Sequence, residues 1–170
     1  MKSITRRPSA GFTLIELMIV VLIVSIIVGI AVPTYQTQIR HSRRTDAKTA
    51  LLDLAVREQK YLSLGNTYTA TPANIGYSSA FPQTVGSGYY QVYVCMGTAT
   101  TTTSTSTACT GASGATTGSS FIVSAIPIAG TSQANDSTCL YFAVDNTGTQ
   151  YSSNNEAGTS GTNTTSTCWQ

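Results

Sequence analysis

The run FTLIELMIVVLIVSIIVGIAV, residues 12–32, constrains this chain more than any other stretch. It is 21 residues long, apolar on every side of a helix, and carries Glu16 as its single charge. About twenty such residues, wound at roughly 1.5 Å each, span about 30 Å of hydrocarbon, so the run is read as a membrane segment. Ahead of it, MKSITRRPSAG (residues 1–11) is short, basic and polar, and Pro8 and Gly11 oppose extending the helix backwards. This opening is read as a leader. The rival is a conventional secretory signal cut after Ala31, against which stand the length of the apolar run and the charge inside it.

Glu16 is the anomaly of the run. A carboxylate four residues into a membrane helix costs on the order of 2.5 to 3.5 kcal/mol on insertion scales unless it is paired. If the chain is cut after Gly11, Phe12 gains a free α-amine. A neighbouring subunit's Glu16 could then meet that cation inside a helix bundle, where a low dielectric strengthens the pairing. On this reading Glu16 is a register device for assembly; the alternative is a carboxylate that snorkels to the interface from near the helix end.

Beyond Pro33 the pattern turns amphipathic. Apolar residues fall at helical spacing through Tyr35, Ile39, Ala47, Leu51, Leu54, Ala55 and Leu62, and Asp53 with Arg57 forms an i,i+4 pair. Gly65-Asn66 supplies a stop. Residues 12–64 would make one helix of about 80 Å. Residues 65–88 have loop composition, with Tyr68, Ile75, Tyr77 and Phe81 spaced to pin the loop down. Strand-length runs of β-branched and aromatic residues then follow at 89–95, 120–128 and 138–145. A short fourth lies around 149–152, after the turn Asp145-Asn146-Thr147-Gly148. One helix followed by about four strands predicts an α+β domain, residues 65–170 forming an antiparallel sheet packed on the helix. The tracts 97–118 and 154–167 are rich in Thr, Ser and Gly and are read as surface loops.

Charge is scarce and uneven. Without Lys2, Arg6 and Arg7 of the leader, six basic residues face seven acidic ones, and beyond Lys60 there is no Lys or Arg at all. The last two-thirds of the chain therefore offers no electrostatic footprint for a phosphate backbone, and direct DNA binding is not expected. Enzyme chemistry has no footing either. His41 is the one histidine, in an arginine-rich helical stretch, and no phosphate loop or catalytic carboxylate pair is present. No cofactor or metal is expected.

Four cysteines, Cys95, Cys109, Cys139 and Cys168, lie far apart with no Cys-x-x-Cys, which disfavours zinc. Downstream of a membrane segment, an even count reads as two disulfides in an oxidising compartment. Three connectivities are open. Cys95 with Cys109 and Cys139 with Cys168 is the favoured one, because each pair brackets a polar stretch that no core could close. Each bridge would contribute roughly 3 to 4 kcal/mol.

The segment GFTLIELMIVVLIVSIIVGIAVPTY, residues 11–35, resembles the N-terminal signature of type IV prepilins. The segment 47–77, the run FIVSAIPI with QANDSTCLYFAVDNTG, and the closing Cys168-Trp169 resemble the PilE-type pilins, which include minor as well as filament-forming subunits. The resemblance implies that a prepilin peptidase cuts between Gly11 and Phe12 at the cytoplasmic face and methylates the new Phe12 amine. Glu16 matches the family's near-invariant acidic residue, and Pro33 a proline that kinks the family's helix. Cys139 and Cys168 match the pair that bounds its C-terminal loop region. The pair Cys95 and Cys109 departs from the many pilins that have one disulfide.

The implied location is the inner membrane before assembly and an extracellular pilus afterwards. The implied partners are copies of the chain or other pilins, the peptidase and the assembly machinery; adhesion, twitching motility or DNA uptake would follow. Orientation is in tension, since Arg40, Arg43, Arg44 and Lys48 outnumber the three basic residues of the leader. The resemblance and the cysteines place the C-terminal domain outside. Two relatives remain as alternatives: a minor pilin acting as initiator or DNA receptor, and a type II secretion pseudopilin, whose major subunit commonly has a calcium site in place of the cysteine pair.

Overall fold

The computed structural model describes residues 11–97, 116–154 and 164–170. One long helix opens it, α1, Leu14–Gly65, with Pro33 inside. Contacts divide the chain into two compact units, one up to Ile39 and one from Arg40 on. In the first, every residue from Phe12 to Val32 is exposed, so α1 meets no other element there. An 18-residue window of this stretch reaches a mean hydropathy of 3.0, long and apolar enough to cross a membrane.

In the second unit α1 buries a stripe, Ala47, Leu51, Leu54 and Glu58, spaced by three or four residues so that all lie on one face. Three of these were expected core positions. Ala55 and Leu62 are half-buried, and Tyr35 is exposed. The helix stops where anticipated: Asn66 takes φ 55°, and its N–H donates to the Leu62 carbonyl at 2.8 Å.

After α1 come β1 (Tyr68–Thr69), a 3₁₀ turn (Pro72–Ile75), β2 (Gln83–Val85), β3 (Tyr90–Met96), β4 (Thr117–Gly118), β5 (Phe121–Pro127), β6 (Tyr141–Asp145), β7 (Gln150–Ser153) and a short α2 (Thr165–Cys168). The main sheet is antiparallel with order β2-β3-β5-β6-β7, and β1 pairs separately with β4. Four strands were expected; five form the main sheet. Gln83–Val85, read from composition as loop, pairs with the hairpin partner Tyr90–Val92 because the intervening Gly86 and Gly88 adopt positive φ and close the turn.

Strand alternation sorts the side chains. Val94, Val123 and Val144 form one cross-strand row on the core side, and Val92, Ala125 and Phe142 the next. Tyr68 meets Phe121 edge-on with ring centroids 4.7 Å apart, and Phe142 lies between Tyr90 and Trp169. Tyr77 packs on Phe81, and Ile75 is buried, so the four residues expected to pin the loop do so. Tyr93, Cys95, Ile122, Ala143 and Tyr151 cluster on the opposite face. The tyrosines 89, 90 and 93 are therefore divided between faces and make no common surface.

Leu51 is fully buried in this core while Val56, on the same helix, is 67% exposed. Leu51→Ala should lower the unfolding free energy by about 2 to 5 kcal/mol, and Val56→Ala should change it by less than about 0.5 kcal/mol. Urea unfolding of the detergent-solubilised chain, followed by the near-UV signal of Trp169, measures both.

Candidate functional site: the helix start and the polar hub of α1

Two places on α1 carry the residues singled out from the sequence. The first is its beginning. The Thr13 hydroxyl oxygen accepts the Glu16 N–H at 3.3 Å, and Thr-x-x-Glu is the spacing of a capping box. Glu16 thus occupies the first turn, where its charge also complements the helix dipole. Phe12 and Glu16 are both exposed. The capping side chain here is that of Thr13, which any non-proline residue at position 16 would satisfy through its backbone N–H.

Pro33 is an interior helix residue. Lacking an N–H, it leaves the Gly29 carbonyl without its intrahelical donor. Around it Thr34 donates to the Ile30 carbonyl and Thr37 to the Pro33 carbonyl, while Ser25 donates to the Val21 carbonyl. Gly29 has no neighbouring atom in reach of an added Cβ. Residues 25–37 therefore hold a helical stretch with one missing bond, one glycine and three hydroxyls that compete for carbonyls.

The second place is the stretch 43–48 of α1, where four polar side chains tie three other segments to the helix. The Arg43 guanidinium lies 3.4 Å from the ring centroid of Tyr89 and donates to Ser132 Oγ at 2.7 Å. Arg44 grips Asp136 with two bonds, Nε to Oδ2 at 2.6 Å and Nη2 to Oδ1 at 2.7 Å. Asp46 accepts from the Ser87 N–H and hydroxyl at 3.2 and 2.8 Å, and a Cβ on Gly86 would fall 2.5 Å from the Asp46 Cβ. Lys48 Nζ donates to the backbone oxygens of Cys168 and Gln170 at 3.1 and 3.2 Å. The β2–β3 hairpin, the β5–β6 loop and the C-terminal segment are all fastened here.

Asp136 is 2% exposed and accepts further bonds from the Thr138 and Cys139 N–H groups and from Gln133 Nε2, whose other proton goes to the Tyr90 hydroxyl. Burial pushes its pKa up. The Arg44 hydrogen bonds, then those from Cys139 and Thr138, outweigh that and hold it below the usual carboxylate range. Burial next to Arg44 lowers the Lys48 ammonium. Asp145, at the β6–β7 turn, is also held low: burial opposes, but donors from Thr147, Tyr151 and Thr149 prevail. Arg44 and Lys48, which complicated the orientation argument, are thus fastenings of the folded domain.

Cys139 and Cys168 form a disulfide across 29 residues, directly beside Asp136. Cys95 is also disulfide-bonded. Its expected partner Cys109 lies outside the described residues, as do residues 1–10, which were expected to be a leader. No group of three or more His, Cys, Asp or Glu side chains gathers among the described residues. Sequence reasoning missed Asp136, Gln133 and Glu58 as structural polar groups. The only sign available was Glu58 falling four residues after Leu54 and seven after Leu51, on the buried stripe.

Residues 6–32 match the family profile described as the prokaryotic N-terminal methylation motif. Residues 33–143 match the profile described as "Type IV minor pilin ComP, DNA uptake sequence receptor". Among curated relatives, a fimbrial protein of Pseudomonas aeruginosa is 34% identical over 93 residues, 52% of this chain and 60% of that protein. The type IV major alpha-pilin of Moraxella bovis is 42% identical over 77 residues, covering 41% and 48%. The type IV major pilin protein PilA of Myxococcus xanthus is 38% identical over 68 residues, covering 40% and 31%. The matched stretch spans about a third to three-fifths of the length of these relatives.

Arg44→Met strands the Asp136 charge and should cost about 3 to 5 kcal/mol in unfolding free energy; Arg44→Met with Asp136→Leu should recover most of it. Because Asp136 and Asp145 are depressed from an ordinary 3.8, their contribution is complete above that pH and drains away as pH falls through their lower folded values. Thermal melts from pH 5 to pH 2 should show this loss in the wild type and a shallower one in Asp136→Asn.

Proposed function

This chain belongs to the type IV pilins, in the family described as type IV minor pilin ComP, DNA uptake sequence receptor, and from that membership we propose that it is a structural, non-enzymatic subunit that polymerises into a type IV pilus through its N-terminal helix. The observation that carries this reading is the start of α1. Twenty-one consecutive residues, nearly all apolar, stand exposed in a helix whose continuation is folded into a disulfide-bonded sheet domain. Such a surface needs hydrocarbon around it, and later other helices.

In this reading a prepilin peptidase cleaves between Gly11 and Phe12 and methylates Phe12. The subunit then waits in the inner membrane with its sheet domain outside, and the assembly machinery lifts it into the filament. There Glu16 meets the Phe12 amine of a neighbour and sets the register. The weakened stretch around Gly29 and Pro33 gives the helix a place to extend during that passage.

The matched family's description supports a second reading, in which the chain is a minor subunit that receives DNA. From Arg40 on, the cations on offer are few. Arg43, Arg44 and Lys48 are engaged in the fold and Arg57 is paired with Asp53 at 2.7 Å, which leaves Arg40 and Lys60. Binding through so few would give a slope of log affinity against log salt no steeper than about −2. A steeper slope with the purified subunit would mean that Arg43, Arg44, Lys48 or Arg57 leaves its partner for the phosphates, and no binding at all would favour other pilus components as the receptor.

Intact mass and N-terminal sequencing of sheared surface filaments test the main reading: the chain should begin at N-methyl-Phe12 and weigh four hydrogens less than its reduced form. A start at Met1 or Val32, or absence from filaments, would overturn it. Gly11→Ser should leave uncut precursor. Glu16→Gln keeps the size and polarity of the side chain and loses the charge. If register depends on charge, Glu16→Gln is cleaved but piliates as poorly as Glu16→Ala; wild-type filament yield would refute the register role.

A further inference from the structure

The side chain of Glu58 is fully buried between α1 and the start of the segment that follows it. One carboxyl oxygen, Oε2, accepts the Thr69 N–H at 3.0 Å, and the other, Oε1, has no hydrogen-bond partner among the described residues. We propose that Glu58 is a proton-operated latch, holding the segment 66–77 and the small β1–β4 sheet against α1 when protonated and loosening them when it ionises.

The surroundings explain why the charge is not tolerated there. The helix α1 brings Asp53, Arg57, Lys60 and Tyr61 near, but Arg57 is committed to Asp53 and to the Ile75 carbonyl, and Lys60 is exposed. From β1 comes Tyr68, whose hydroxyl donates to Gln59, and beyond the 3₁₀ turn comes Tyr77, which lies against Arg57. The 3₁₀ turn, β4 and β5 contain no titratable side chain, and β3 contains only its two tyrosines and Cys95. With no Lys or Arg after Lys60, the sheet side of the core cannot supply a cation at all. A buried carboxylate with one donor and no counter-ion favours its neutral form. Burial accordingly raises Glu58 to about 7, partly opposed by the Thr69 hydrogen bond.

Thr69 makes this a latch for a segment. Its N–H bonds to Glu58, and its hydroxyl oxygen accepts from the Thr71 N–H and Asn74 Nδ2. The next residue, Ala70, donates to the Thr116 carbonyl beside β4. The ionised carboxylate can regain water only if this contact opens, and that opening frees one end of β1, the 3₁₀ turn and the β4 pairing together. The main sheet holds through its own ladders.

The sign follows from linkage. A carboxyl raised from 4.5 to about 7 in the closed form contributes stability that is complete below 4.5, shrinks as pH rises, and is gone above about 7. Local opening should therefore become roughly 50-fold more frequent between pH 5 and pH 8.

Hydrogen exchange on the full chain in detergent tests this, read by mass spectrometry and corrected for the intrinsic dependence of exchange on pH. Peptides covering residues 66–77 should lose protection by about that factor between pH 5 and pH 8, while those covering β5 and β6 stay constant. In Glu58→Gln the dependence should vanish. As a check independent of any variant's folding, the wild type should show an infrared band of a protonated carboxyl that titrates near pH 7. Constant protection of 66–77, the same pH dependence in Glu58→Gln, or complete ionisation by pH 5 would each overturn the proposal.

Discussion

Burial of one stripe of α1 against a five-stranded sheet is the constraint from which the rest of the second unit follows. Ala47, Leu51 and Leu54 are spaced by three and four residues, so their face is continuous, and the inward rows of β3, β5 and β6 are almost entirely Val, Ala and Phe. Once that contact is made, the flank of the helix at residues 43–48 lies level with three loop ends, and polar groups there find partners. Charge-assisted bonds from Arg44 and Lys48, with the Asp46 contacts, position segments that have too little apolar surface to position themselves.

The fold was legible where periodicity is strong. A 3.6-residue pattern after Pro33 and three long β-branched runs gave the helix and the central strands to within three residues, and the Asp145 turn was readable from its composition. The short strands β1, β2 and β4 were not. Two or three residues carry no period, and their pairing is fixed by tertiary partners: Thr84 opposite Gln91, and Tyr68 opposite Gly118. Polar core residues were invisible for a related reason. Asp136, Gln133 and Glu58 look like surface residues, and only the folded chain shows that Arg44, Tyr90 and Thr69 come to meet them.

The candidate site divides in the same way. The apolar run, Glu16 and the change of pattern at Pro33 are local signals, so the presence of a long apolar helix could be read from the sequence. The hub depends on contacts between residues 41 to 122 positions apart, which no local pattern encodes. The buried carboxylates also separate by their company. Asp136 has a bidentate arginine and three further donors and is held in its charged form, whereas Glu58 has a single amide and is pushed towards neutrality. Two acids of similar burial thereby answer to pH in opposite directions.

Every arginine and lysine after Arg7 lies on α1, between Arg40 and Lys60, and the whole sheet lacks them. On an extracellular pilus, the location proposed above, this would have a protective side. Proteases of the trypsin type need an arginine or lysine in an extended, accessible backbone. Here each such residue sits in a continuous helix, several of them with side chains already engaged, and residues 61–170 present no cleavage point of that specificity. The sheet domain is thus closed to one widespread class of digestive enzyme by composition, before its fold or its disulfides are considered.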